Sequence, residues 1–126
     1  MMEKVILRAT SFWGRSSVIV LDGGYGIAMV SMLDESPDIA VIHDLIVHES
    51  LRGNGIGRRL LEHSVKEAAS LGADVVKLSV EPGTWMADWY RRNSFVMTDV
   101  TDFDSHPCIV MERKIRREAQ EPHKTL

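Results

Sequence analysis

The sequence contains one cysteine, Cys108, so a single chain cannot form an internal disulfide. Chains without disulfides are typical of reducing compartments, which predicts a cytoplasmic or nuclear location, with the cytoplasm as the default. A basic excess is also missing, because 15 Lys and Arg face 18 Asp and Glu for a net charge of −3. Nucleic-acid binders usually carry a basic excess, and we therefore expect no nucleic-acid partner.

Long apolar runs are missing as well. No stretch approaches the roughly 20 consecutive apolar residues that a membrane-spanning helix needs, and the N-terminal residues do not form a signal-peptide pattern. The composition, with 44% hydrophobic and 26% charged residues in a chain of 126, is that of an ordinary soluble domain. We predict one domain over residues 1–115 followed by a polar tail over residues 116–126, with no membrane contact.

The central part of the chain changes from strand-like to helix-like periodicity and back. The order strand, helix, strand, helix predicts a right-handed βαβ unit inside a mixed sheet. The second helix follows Pro82-Gly83-Thr84, with Thr84 as the predicted N-cap. Strands are predicted at Val5–Leu7, Val18–Leu21, Gly26–Leu33, Ile39–His48, Val75–Val80, Phe95–Val100 and Cys108–Met111, and helices from Ile56 up to Gly72 and from Thr84 to about Asn93.

The segment Arg52-Gly53-Asn54-Gly55-Ile56-Gly57-Arg58-Arg59, here called the glycine loop, joins the fourth predicted strand to the first predicted helix. Glycine permits positive φ and a close approach of the backbone to a ligand. Amides at a helix N-terminus attract anions, and arginine donates charge-assisted hydrogen bonds to phosphate. The loop therefore predicts a pyrophosphate site, and the alternative is a flexible loop with solvated arginines.

Two common phosphate-binding patterns do not fit the glycine loop. A dinucleotide fingerprint requires glycine at position 58, which is arginine. A P-loop requires Gly-Lys-Ser/Thr, which is absent from the sequence. The pattern Arg52-x-x-Gly55-x-Gly57, preceded by Leu45-Ile46-Val47 and followed by an amphipathic helix, instead resembles the acetyl-CoA motif of the GNAT N-acetyltransferase superfamily.

A second motif downstream supports the same resemblance. The run Trp89-Tyr90-Arg91-Arg92-Asn93-Ser94-Phe95 is similar to the family's Leu/Phe-Tyr-x-x-x-Gly-Phe segment, one strand and one helix after the first motif. Ser94 stands where the family has glycine, at a position where the helix would end in a left-handed residue. Together the two motifs cover roughly residues 39–111.

The resemblance implies an α/β fold with a mixed, mainly antiparallel sheet and an acetyl-CoA-dependent N-acetyltransferase activity. The amine acceptor, a small molecule or a protein, would attack the thioester directly in a ternary complex, without a metal. A non-catalytic acyl-CoA-binding module and a nucleotide-binding regulatory domain are the other interpretations. The resemblance places acetyl-CoA against the main chain of Leu45, Ile46 and Val47 and against Arg52, Gly53, Asn54, Gly55, Ile56, Gly57 and Arg58.

Two residues are candidates for proton transfer. Tyr90 matches the family's tyrosine near the thioester sulfur, a proton donor to the leaving thiolate; its alternative role is packing against the sheet. His43 precedes Leu45-Ile46-Val47 as a proton-relaying histidine does in arylalkylamine N-acetyltransferases; its alternative role is a hydrogen bond at the rim of the sheet. Strand alternation predicts His43 on one face with Val41, Leu45 and Val47, and Asp44 on the opposite face.

The N-terminal third departs from the family pattern. Relatives place two helices between the first two strands, and Ala9–Ser17 is too short for them. We therefore expect an open wall at the acceptor site that a second subunit completes in a homodimer, with Phe12 and Trp13 as contacts. Residues 1–51 carry seven acidic and three basic side chains, a balance that suits a cationic acceptor.

Overall fold

The computed structural model describes residues 3–21, 24–48, 53 and 55–115, so the predicted tail over residues 116–126 lies outside the described residues. No helix in those ranges is long and apolar enough to cross a membrane. The predicted order of elements is confirmed, with longer strands at both ends of the chain. The elements are β1 (Lys4–Thr10), β2 (Gly14–Leu21), β3 (Gly26–Leu33), β4 (Ile39–Val47), α1 (Ile56–Ser70), β5 (Val75–Val80), α2 (Met86–Arg92), β6 (Val96–Phe103) and β7 (His106–Lys114).

The strands form one seven-stranded sheet in the order β1-β2-β3-β4-β5-β7-β6. All neighbouring strands are antiparallel except β4 and β5, which are parallel and are joined through α1. The mixed, mainly antiparallel sheet is therefore confirmed. Only Ser11–Trp13 separates β1 from β2, so the connection holds no helix.

Both helices lie on the same face of the sheet, which we call the helix face. Leu60 and Leu61 of α1 are fully buried there, in one core cluster with Tyr90 of α2 and Phe95. Arg113 of β7 joins the two helices, because its guanidinium hydrogen-bonds the Glu62 carboxylate of α1 and the main-chain oxygen of the residue that follows α2. The core of the domain therefore lies between the sheet and these two helices.

A buried carboxylate fixes α1 to the first two strands. Glu67 accepts two hydrogen bonds of 2.8 Å from the Arg8 guanidinium and a third from the Ser17 hydroxyl. The hydrogen bonds from Arg8 hold the pKa of the Glu67 carboxyl below its ordinary value, against the effect of burial. The carboxylate stays charged, and the pair sets where α1 crosses the sheet.

The opposite face of β1 to β4, which we call the outer face, is apolar and exposed. Strand register aligns its side chains into cross-strand rows, and Leu7, Met29 and Ile46 keep 60%, 38% and 57% of their surface accessible. None of the described helices covers these rows. The first row is Val5, Val20, Ile27 and Ile46, and the second is Leu7, Val18, Met29 and Asp44.

A β-bulge interrupts the alternation of β4. Val30 of β3 pairs with Ile42, whereas Met29 pairs with Asp44, so His43 is the extra residue. The predicted placement of His43 on one face with Leu45 and Val47 is therefore wrong. Leu45 and Val47 share the helix face with Ile42.

His43 and Asp44 both lie on the outer face after this bulge. Asp44 pairs with Met29, whose side chain is exposed there, and His43 hydrogen-bonds Ser31 of the same face. The predicted separation of the histidine from the aspartate by the sheet is also wrong. The cause in both cases is the single extra residue, which a strict period of two does not anticipate.

The N-cap of α2 lies one residue later than predicted. The helix begins at Met86 with Trp85 as its N-cap, and Thr84 precedes the cap. The Thr84 hydroxyl nevertheless accepts the Met86 N–H at 3.3 Å. Thr84 therefore accepts a hydrogen bond from the first residue of the helix, although it is not the N-cap residue.

Candidate active site

The sheet opens between β4 and β5. The two strands pair only through Ile39 with Val75, Ala40 with Val76 and Val41 with Lys77. The bulge at His43 bends β4 immediately after the last pair, and in the described ranges no strand pairs with His43–Ile46 on the β5 side. We call this gap, between His43–Ile46 and the end of β5, the split.

The split leaves the main chain of His43–Ile46 without a neighbouring strand on the β5 side within the described ranges. A ligand that lies there would hydrogen-bond the strand as an added strand does. Side chains of the predicted binding run have other environments: Leu45 and Val47 pack against the core, and Ile46 is exposed on the outer face. These three residues can therefore contribute to a binding site in the split through main-chain atoms.

The glycine loop ends at the N-terminus of α1. Gly53 and Gly55 have positive φ values of 88° and 79°, and Gly55 is the N-cap residue. No side chain caps the helix in the described part of the chain, and no acidic residue lies in its first turn. A Cβ at either glycine would meet nothing within 4 Å. The arrangement fits an anion that approaches the helix N-terminus closely.

Of the other five residues of the glycine loop that the sequence predicts to bind acetyl-CoA, the structure describes three. Ile56 is buried in the core, so only its main chain can reach a ligand, and the Arg58 side chain is exposed. Arg52 and Asn54 lie outside the described residues. Gly57 is the second residue of α1, and a Cβ there would lie 3.4 Å from the Trp89 ring. Gly57 therefore lies where α1 contacts Trp89 of α2, at a distance that would still accept a Cβ in ordinary van der Waals contact.

Trp89 therefore connects the glycine loop to Tyr90. The Tyr90 ring lies 5.0 Å from the Trp89 ring and 5.4 Å from the Phe95 ring, both edge to face. Only 8% of the Tyr90 surface is accessible. Burial raises the pKa of Tyr90 to about 12, so the phenol is protonated and can donate a hydrogen bond at any physiological pH.

The end of α2 holds Tyr90 in place. Ser94 adopts the left-handed conformation, with φ 74°, that the family pattern assigns to glycine. The turn brings the Phe95 N–H back to the Tyr90 carbonyl at 3.1 Å. The fully buried Phe95 then packs against the Tyr90 ring. A serine therefore makes the same turn at some cost in backbone strain.

His43 lies on the outer face beside the split. Its Nε2 is 2.5 Å from the hydroxyl of Ser31 on β3, and this contact fixes the imidazole against the sheet. Tyr90 is on the helix face, so the sheet separates the two candidate catalytic residues. The split lies between the strands that lead to them, because β4 carries His43 and β5 precedes α2. Ser31 carries no signal in the sequence, because only the β3–β4 register brings it to His43.

Comparison with known proteins agrees with this geometry. The model of the acetyltransferase (GNAT) family matches residues 6–95. The chain belongs to the GNAT family. A comparison with curated protein sequences gave no significant match.

Several solved acetyltransferases share the fold of this GNAT protein. Nourseothricin acetyltransferase is 25% identical with a TM-score of 0.66, and the match covers 82% of this chain and 66% of that one. An IAA acetyltransferase from Bacillus cereus is 20% identical with a TM-score of 0.68, over 89% and 99% of the two chains. An Elizabethkingia anophelis GNAT acetyltransferase with acetyl-CoA bound is 12% identical with a TM-score of 0.69, over 88% and 97%.

The GNAT protein thus spans about two thirds of the length of nourseothricin acetyltransferase and nearly all of the other two. Membership of the family supports acetyl transfer from acyl-CoA as the general chemistry. In the described ranges no three His, Cys, Asp or Glu residues form a group that could hold a metal ion.

Proposed function

We propose that this GNAT protein transfers an acetyl group from acetyl-CoA to a primary amine by direct attack in a ternary complex. The observation that carries the proposal is the split, which lies between β4, whose far end leads into the glycine loop, and β5, which leads into α2. Acetyl-CoA consists of an anionic pyrophosphate end and an extended arm that carries the thioester. The α1 N-terminus would bind the anionic end, and the split would bind the extended arm.

The residues of the glycine loop would hold the pyrophosphate. Gly53 and Gly55 let the backbone approach it, the amides of the first turn of α1 donate to it, and Arg58 adds positive charge. The extended arm would then lie in the split along the main chain of Leu45–Val47. A main-chain N–H of that segment would polarise the thioester carbonyl by stabilising the oxyanion that forms during attack.

The acceptor amine would approach from the outer face, where His43 lies. His43 takes a proton from the bound ammonium, the resulting neutral nitrogen forms a bond to the carbonyl carbon, and the carbon–sulfur bond breaks. The leaving thiolate takes up the second proton that the nitrogen loses, and Tyr90 donates a hydrogen bond to the sulfur as negative charge develops there. The products are the acetylated amine and CoA.

Replacing Gly55 tests the pyrophosphate site. We expect Gly55→Val to weaken acetyl-CoA binding at least tenfold, because valine resists a φ of 79° and its side chain would occupy the space left for the ligand. Calorimetric titration of the folded variant with acetyl-CoA measures the effect.

The matched control is Gly72→Val at the other end of α1. Gly72 also has a positive φ, of 99°, and a Cβ there would also meet nothing within 4 Å. Both substitutions introduce similar backbone strain, so both should lower the melting temperature. Only Gly55→Val should lose acetyl-CoA affinity, and equal affinity in the two variants would reject the glycine loop as the pyrophosphate site.

The outer face supports the further proposal of a homodimer. In its two rows Val5, Leu7 and Ile46 keep at least half of their surface accessible, and an interface of standard size buries about 800 Å² on each partner. The first row carries no charge at all, which suits a self-complementary contact with a second copy. Phe12 and Trp13 lie in the β1–β2 loop, past the end of these rows, so an interface formed by the rows leaves them open.

We expect light scattering to show a dimer that Leu7→Glu converts to a folded monomer, because a carboxylate in the second row would be buried in the interface without a partner. Val100→Glu is the control, since Val100 is as exposed as Leu7 but lies on the strand at the opposite edge of the sheet. A wild-type protein that is monomeric at working concentration would contradict the proposal.

A further inference from the structure

A groove on the protein surface lies at the end of β3. It has a volume of about 270 Å³ and is lined by Phe12 and Trp13 from the β1–β2 loop and by Leu33, Asp34 and Glu35. The two aromatic rings meet edge to face at 5.1 Å and are highly exposed, at 87% and 69%. The Asp34 N–H donates to the Trp13 carbonyl at 2.8 Å, so the two loops that form the groove are tied together.

The groove is acidic and aromatic. Asp34 and Glu35 form no salt bridge with any described residue. Arg15 lies close by in sequence, but its guanidinium hydrogen-bonds the Leu71 carbonyl at the end of α1. Two carboxylates beside exposed aromatic faces form an environment that favours an organic cation.

The groove continues towards His43. A second depression of about 100 Å³ adjoins it, shares Trp13 and Leu33 with it, and is lined also by Ser31 and by Arg15, whose guanidinium is held by the Leu71 carbonyl. Ser31 is the hydrogen-bond partner of His43. Asp34 is three positions after Ser31 along the chain, roughly 10 Å in extended backbone. A cation in the groove would therefore lie about that distance from the amine that His43 deprotonates.

We propose that the groove of Phe12, Trp13, Asp34 and Glu35 binds a second cationic group of the acceptor, so that the preferred substrates are amines with another positive charge about 10 Å away. The inference rests on the proposed acetyl transfer, because it assigns the acceptor side of the same site. The aromatic rings contact the alkyl chain and the face of the cation, and the carboxylates neutralise its charge.

The test compares diaminoheptane, which has an amine at each end, with heptylamine as the matched monoamine. We expect kcat/KM to be about tenfold higher for the diamine, beyond the factor of two for its two reactive ends. Two exposed charge contacts and one cation–π contact, each modest alone, account for a factor of this size. In the double variant Asp34→Asn/Glu35→Gln the ratio should fall to about two, through a higher KM for the diamine.

Asp38→Asn is the control, because Asp38 lies in the same loop but does not line the groove; it should keep the wild-type ratio.

Calorimetric binding of diaminoheptane in the presence of CoA gives a readout that needs no turnover. Tenfold weaker binding of diaminoheptane by the double variant supports the groove even if no amine is acetylated. A lack of acetylation would refute only the proposed function. Equal turnover of diamine and monoamine, or equal diamine binding by wild type and double variant, would overturn the inference, as would a second copy found covering Phe12 and Trp13.

Discussion

We expect His43→Gln to lower kcat/KM about 10²-fold near neutral pH, the usual scale for a general base. Glutamine can keep a hydrogen bond to Ser31 but cannot accept the proton of the attacking ammonium. The loss should shrink as the pH approaches the pKa of the acceptor amine, because the amine is then neutral before it binds. Initial rates across a pH series at saturating acetyl-CoA measure this effect.

The matched control for this experiment is His106→Gln. His106 is an exposed histidine at the start of β7, and β5 lies between that strand and β4, so its replacement should leave the rates unchanged. Ser31→Ala should give a smaller loss than His43→Gln with the same pH trend, because Ser31 only positions the imidazole. An unchanged pH–rate profile in His43→Gln would move the base elsewhere, to a water chain or to the second subunit.

We expect Tyr90→Phe to lower kcat by about 10²-fold at every pH in the assay range. The pKa of Tyr90 is raised to about 12 by burial, so the phenol is protonated at every pH of the assay. The factor by which its removal lowers kcat should therefore not change with pH. An ordinary thiol has a pKa near 8.5, so complete transfer from the phenol to the sulfur is unfavourable. The phenol therefore acts mainly by donating a hydrogen bond that stabilises the leaving thiolate. The proton that the thiolate finally takes up comes from the amine.

The chain's other tyrosine provides the control. Tyr25→Phe removes a hydroxyl from a half-exposed ring that packs against His48, and kcat should not change. The KM for acetyl-CoA should also stay near the wild-type value in Tyr90→Phe, since the phenol acts on the leaving group. A variant with wild-type kcat would assign Tyr90 to packing alone, as its contacts with Trp89 and Phe95 would allow.

The sequence predicts the order of strands and helices because each signal is local. The stripe from Leu60 to Ala68, the apolar run Val75–Val80 and the glycine that ends α1 each act within a few residues. The bulge at His43 is not local, because it depends on the register between β3 and β4. The face of the sheet on which each of His43, Asp44 and Leu45 lies therefore cannot be predicted from the sequence of β4 alone.

The site divides in the same way. Positive φ at Gly53 and Gly55 follows from residue type and position, and it is predictable from the loop. Gly57 shares their spacing, but it lies inside α1 against Trp89, which is 32 positions later in the chain. Ser31 and the groove depend on cross-strand neighbours and on contact between two loops, for which the sequence carries no periodic signal.

Amine-dependent release of CoA is the most direct test of the central claim that this GNAT protein is an N-acetyltransferase. The purified wild-type protein is mixed with acetyl-CoA and a panel of primary amines, and released thiol is measured together with the mass of the amine product. We expect thiol release to rise with amine concentration, to match the acetylated amine mole for mole, and to fall about 10²-fold in His43→Gln. Tight binding of acetyl-CoA with no amine-dependent thiol release across the panel would contradict the claim and identify an acyl-CoA-binding module without turnover.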